Sequence, residues 1–115
     1  MQEPRTVNIP EISMSALLER YAVLLLDAYG VLVHSTGALP GAAPLIERLN
    51  RTGKPYYILT NDASRLPTTS AARFRGFGLL IQPERIITSG ELLKDFFSTH
   101  RLVGSRCAAL GPEDS

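Results

Sequence analysis

The most hydrophobic segment of the chain is Ala22-Val23-Leu24-Leu25-Leu26, which stops abruptly at Asp27. A continuous apolar run of this length predicts a strand buried on both faces, the habit of parallel sheets. Tyr56–Thr60 and Ile86–Thr88 predict a second and a third strand, and Arg106–Leu110 a fourth, broken by Gly111-Pro112. Between these runs the period changes. Ala42, Leu45, Ile46 and Leu49 recur at helical spacing over Gly41–Asn50, and Gly53 is placed to end that helix. Thr68–Phe74 predicts another helix, with Pro67 tolerated at its start and Gly76 and Gly78 ending it. Glu91–Phe97 predicts a further one, with Ser89 as its cap.

Upstream, residues 1–12 carry two prolines and little periodicity and are expected to form an extended arm. Ser13 or Ser15 can cap a short helix through Arg20. Residues 28–40, with Gly30, Gly37 and Pro40, read mainly as loop. Strands alternating with helices in this way indicate an α/β fold whose parallel sheet has right-handed crossovers. Residues 1–115 are expected to be one partial domain, residues 13–115 its α/β core, stopping just after the fourth strand as if interrupted.

Composition narrows the setting without naming a partner. Hydrophobic residues at 44% and charged residues at 20% describe an ordinary globular domain. Twelve basic against eleven acidic side chains leave a formal charge of +1, which gives no electrostatic argument for nucleic acid or an anionic membrane. No apolar run approaches the roughly 18 residues of a membrane span, and the first twenty residues lack the pattern of a secretory signal. A lone Cys107 excludes an internal disulfide framework and reads as a small core residue of the fourth strand. A cytoplasmic location is the expectation.

In an open α/β sheet, ligands bind at the carboxyl ends of the strands. Asp27 closes the first strand and Thr60-Asn61-Asp62 the second, so a parallel sheet sets these ends side by side. A carboxylate at the rim of an apolar sheet can attack phosphorus; a strand-terminating Asp that merely organises the next turn is the alternative. Thr60 and Asn61 supply a hydroxyl, an amide and backbone N–H groups suited to phosphoryl oxygens, or else form an ordinary turn. Arg65 is the basic residue better placed to reach an anion, whereas Arg73 and Arg75 read as solvating a helix end. His34 and His100 have no partner at catalytic spacing and read as surface histidines.

Taken in order, Asp27-Ala28-Tyr29-Gly30-Val31-Leu32, Leu39-Pro40-Gly41-Ala42, Leu59-Thr60-Asn61 and Ile87-Thr88-Ser89 resemble the haloacid dehalogenase-like superfamily. The spacing is most similar to its class IIA branch of sugar-phosphate and nucleotide phosphatases. The resemblance implies the amino-terminal half of a Rossmann-like three-layer core, truncated before the cap and the carboxyl-terminal half. It implies Asp27 as the nucleophile that forms an aspartyl-phosphate and Thr60, with Asn61 beside it, as the phosphate-binding pair. It implies Mg²⁺ held by the Asp27 carboxylate and the Tyr29 backbone carbonyl, and a small phosphorylated metabolite as substrate.

Two departures from the family pattern stand out. Tyr29 occupies the place of the family's second Asp, the general acid, and a phenol is a poor substitute near neutrality. The family's third-motif Lys and fourth-motif acids have no counterpart: the only lysines, Lys54 and Lys94, lie in other contexts. The expected function is therefore Mg²⁺-dependent phosphomonoester hydrolysis, incomplete or inactive in this chain alone. A non-catalytic phosphate-binding or interaction module, or a phosphoryl transferase, is the alternative. The free edge of a half-sheet is also expected to favour a homo-oligomer.

Overall fold

The computed structural model describes residues 9–111. Along the chain the elements are α1 (Met14–Arg20), β1 (Leu24–Asp27), β2 (Val33–His34), β3 (Gly37–Ala38), α2 (Ala42–Thr52), β4 (Tyr56–Thr60), α3 (Pro67–Gly76), β5 (Ile86–Thr88) and α4 (Leu92–Thr99). Single 3-10 turns precede and follow β5. Strands β1, β4 and β5 form a parallel sheet in the order β1-β4-β5, with Leu26 opposite Ile58 and Ile58 opposite Ile86. The short β2–β3 hairpin stands apart, pairing Val33 with Ala38 and His34 with Gly37.

One face of the sheet carries the core. Tyr56, Ile58 and Ile86 project toward Ala42, Ile46 and Leu49 of α2 and Ala71 and Phe74 of α3, and all are buried. The alternate residues Leu25, Tyr57, Leu59 and Ile87 point the other way and remain exposed, Leu25 at 61%. The expected two-sided burial of the first strand is thus corrected: β1 alternates, because no described layer covers its second face. Its start shifts too, since Ala22 and Val23 lie outside the ladder.

The capping chemistry explains most boundaries. Ser13 Oγ accepts the Ala16 N–H at 3.2 Å, so Ser13 caps α1, while Ser15 accepts from Arg48 at 3.1 Å and ties α1 to α2. Gly53 ends α2 at φ +69°, a left-handed conformation that a side chain would strain. Pro67 opens α3 where its missing N–H costs nothing. The cap after β5 is Thr88, not Ser89. Its hydroxyl accepts the Glu91 N–H at 3.3 Å, and the Glu91 carboxylate accepts the Thr88 N–H at 3.2 Å, a reciprocal box that opens a 3-10 turn before α4.

The amino end of the sheet is locked by a polar chain. The Tyr56 phenol donates to Asn50 Oδ1 at 2.7 Å, and Asn50 Nδ2 donates to the Leu80 carbonyl at 2.7 Å. Arg85 stacks 4.3 Å from the Tyr56 ring and donates to its carbonyl. Burial pushes the phenol above its ordinary pKa, against the opposing pull of the Arg85 charge and the Asn50 hydrogen bond.

The expected fourth strand does not form: Arg106–Leu110 pairs with no strand among the described residues, and Cys107 is exposed rather than a core residue. Of the expected amino-terminal arm, residues 9–12 are exposed and non-helical, and the rest lies outside the described residues. Among the described residues no helix is long and apolar enough to cross a membrane.

Candidate functional site

The carboxyl ends of β1 and β4 are neighbours, with Asp27 in register with Leu59 and Thr60 one residue beyond. The fold therefore brings Asp27, Tyr29, Thr60 and Asn61 to the rim of one cavity of about 430 Å³. Its far wall comes from α3 through Ser70, Arg73 and Phe74, and from Phe77 just beyond it. A volume of this size suits a small molecule.

Directly after Asp27 the chain turns sharply. The Ala28 carbonyl accepts from the N–H groups of Leu32 at 2.9 Å, Val33 at 3.1 Å and Val31 at 3.3 Å, while Gly30 N–H donates to the Val33 carbonyl at 2.8 Å. Gly30 holds φ +86° in this turn, which a side chain would strain. The turn throws the β2–β3 hairpin out beside the site and leaves the Asp27 carboxylate exposed. One carboxylate oxygen, Oδ1, accepts the Ala28 N–H at 2.9 Å, which fixes the carboxylate's direction and leaves Oδ2 without a partner among the described residues. The Tyr29 carbonyl accepts no hydrogen bond from the described residues, and the Tyr29 side chain is 68% exposed.

On the β4 side, Thr60 Oγ1 accepts the Asp62 N–H at 3.2 Å, so the hydroxyl proton stays available to a ligand oxygen. Ser89 Oγ donates to the Asn61 carbonyl at 3.2 Å, tying the end of β4 to the turn after β5. Gly90 makes that junction close. A Cβ there would lie 2.7 Å from the Ala63 carbonyl oxygen, so the two turns approach as only glycine permits.

Asp62 and Ser64 carry no assigned role in the sequence, whereas Arg65 does; Asp62 and Arg65 line the same cavity. Asp62 Oδ1 accepts the Ser64 hydroxyl at 2.7 Å and the Ser64 N–H at 3.2 Å, and Oδ2 pairs with Arg65 Nη1 at 2.5 Å. Partial burial pushes the Asp62 carboxyl up, but the Ser64 and Arg65 hydrogen bonds and the Arg65 charge outweigh it and hold the carboxyl below its ordinary value. The available signal was Asp62-Ala63-Ser64, the spacing at which an Asp side chain caps the N–H two residues on. Arg65 thus meets Asp62 within the protein, while Arg73 also reaches the cavity wall.

The remaining candidates lie apart. Lys54 donates to the Leu18 carbonyl at 2.6 Å, and Lys94 is exposed on α4. His34 Nδ1 lies 2.7 Å from the Thr36 hydroxyl and accepts the Thr36 N–H, while His100 stacks on Phe96 at 4.1 Å. Both histidines are local turn and helix-end residues. Among the described residues no group of three His, Cys, Asp or Glu side chains could hold a metal ion.

Comparison with known proteins agrees with this architecture. The structure superposes on a protein from Cytophaga hutchinsonii described as a "possible sugar phosphatase, HAD superfamily", with TM-score 0.71 and 37% identity, covering 79% of this chain and 32% of that one. It also superposes on NagD from Escherichia coli K-12, with TM-score 0.61 and 32% identity, covering 66% of this chain and 30% of that one. Acid sugar phosphatase from Staphylococcus aureus is 27% identical over 81 residues, 70% of this chain and 31% of its own length. The chain therefore spans about a third of the length of the curated relatives it matches. The family model of haloacid dehalogenase-like hydrolases matches residues 24–115, from the first residue of β1 onward, and the chain belongs to that family.

Proposed function

We propose that the Asp27 site serves phosphomonoester hydrolysis, with a small phosphorylated metabolite as substrate. The observation that carries this reading is the juxtaposition, at the ends of β1 and β4, of a carboxylate oxygen that has no partner among the described residues with the Thr60 hydroxyl and Asn61. Asp27 Oδ2 attacks phosphorus, the bond from phosphorus to the ester oxygen breaks, and the alcohol departs with a proton from solvent. Thr60 and the Asn61 amide hold the phosphoryl oxygens as charge moves onto them. Water then cleaves the aspartyl-phosphate to inorganic phosphate and restores the carboxylate.

The donor set fits magnesium, which favours one or two protein oxygens supplemented by water and phosphate oxygens. The Asp27 carboxylate and the Tyr29 carbonyl would hold it. When bound, the ion offsets the negative charge that nucleophile and phosphate bring together.

The second half of the reaction is the weak one. Tyr29 carries no carboxylate, and the carboxylate that does line the cavity, Asp62, is held ionised by Ser64 and Arg65. With both Asp62 oxygens already engaged, neither residue is suited to activate water for this step, and a missing general base typically slows a step about 10²–10⁴-fold. The expected consequence is an aspartyl-phosphate that forms and persists.

Incubation with a small phosphoryl donor and Mg²⁺, followed by mass spectrometry, tests this. Label on Asp27 alone, lost in Asp27→Asn, is the expected result. Label on Ser35, Thr60 or His34 with none on Asp27 overturns the assignment. Binding of inorganic phosphate with no label anywhere favours a non-catalytic phosphate-binding module.

A further inference from the structure

The cavity has two chemically different ends. One is the Asp27–Thr60 rim already described. The other is the α3 wall, where Phe74 and Phe77 supply apolar surface and Arg73 supplies a cation. Arg73 lies over the Phe77 ring, 5.6 Å from its centroid, an attractive placement for a guanidinium that also restricts its motion. Among the described residues its N–H groups donate to no protein acceptor, whereas Arg65 is already paired with Asp62. A guanidinium with an aromatic floor and unused donors in a cavity wall is suited to planar, two-pronged recognition of a carboxylate or a phosphate.

A space of about 430 Å³ is the scale of a small ligand. We infer that the site prefers a phosphomonoester whose short carbon chain ends in a second anionic group, with the ester phosphate at Asp27 and Thr60 and the distal anion on Arg73. This rests on the phosphatase reading for the near end only; the distal contact belongs to Arg73. Phe74 and Phe77 would cover the carbon chain between the two anions.

Three ligands of equal chain length separate the contributions: propyl phosphate, the same chain ending in a carboxylate, and the same chain ending in a second phosphate. Calorimetry of each on the full chain with Mg²⁺ present is the measurement, with inorganic phosphate as reference. Both doubly anionic ligands are expected to bind at least about tenfold more tightly than propyl phosphate, a difference of about 1.4 kcal/mol. Arg73→Gln is expected to erase that advantage while leaving propyl phosphate affinity and the circular dichroism spectrum unchanged. Arg73→Lys, which keeps the charge without the planar fork, is expected to retain part of it. Equal affinity for all three ligands, or an advantage that survives Arg73→Gln, overturns the inference. An advantage confined to one of the two anions shows which group Arg73 selects. If inorganic phosphate itself fails to bind the unmodified chain, the phosphatase reading falls, and the inference with it.

Discussion

Asp62 receives two hydrogen bonds from Ser64 and one from Arg65, more partners than any other carboxylate at the strand ends. Because its folded pKa lies below the ordinary value, the unfolded chain binds more protons in acid. The resulting stability is fully present above the unfolded carboxyl value near ~4 and is lost as pH falls through the folded value. Urea midpoints measured against pH should therefore drop more steeply below about pH 4 in the parent than in Asp62→Asn. That variant should already cost about 1 kcal/mol at neutral pH. Equal acid sensitivity would show that the Asp62 cluster contributes nothing measurable. Magnesium affinity is the second residue-scale expectation. With one carboxylate and one carbonyl from the protein, dissociation constants should be millimolar, about 4 kcal/mol, and micromolar affinity in a titration would reveal a further ligand. Asp27, Thr60 and Asn61 were legible as strand-end residues because strand ends follow directly from where apolar runs stop, whereas Tyr29 was singled out only through the family resemblance. The Asp62 cluster was not legible, because its importance lies in partners gathered around a turn.

At the scale of elements, β4, β5 and the start of α3 were legible to within a residue or two, since local period and punctuation decide them. The failures are non-local. Arg106–Leu110 has the composition of a strand, but a strand exists only when a neighbour supplies hydrogen bonds, and none does among the described residues. The Thr88 box shows the opposite lesson: the Thr-x-x-Glu spacing was present, and the nearer Ser89 was the wrong choice. Ser89 instead joins Gly90 in fastening the turn after β5 to the turn after β4. Gly90→Ala forces a methyl group to within 2.7 Å of a backbone oxygen, so one turn must shift. The expected cost is about 1–3 kcal/mol, together with weaker phosphate binding as Thr60 and Asn61 move. Denaturant unfolding and phosphate titration of the same variant check both, and unchanged values in each would show that the turns approach freely.

At the scale of the whole molecule, one face of the described sheet lies uncovered. Leu25, Leu59 and Ile87 form an apolar strip with Leu92, with Tyr57 exposed on the same sheet face, beside a β1 edge with no described partner. Exposed apolar surface and an open strand edge both promote self-association. We expect light scattering to show mass rising with concentration, and Leu25→Lys to reduce that rise by placing a charge on the strip. A dilute monomer melting cooperatively above about 60 °C would refute this, since that is near the top of the usual mesophile range. The strand order also divides the site in time. Among the described residues β4 is flanked by both β1 and β5, whereas β1 is held by β4 alone. Peeling away β1 breaks one ladder, but releasing β4 breaks two, so the amides of Leu24–Asp27 should exchange with solvent sooner than those of Tyr56–Thr60. The proposed nucleophile, Asp27, then rides on the half of the site that opens more often, while the proposed phosphate-binding half, Thr60 and Asn61, keeps its shape.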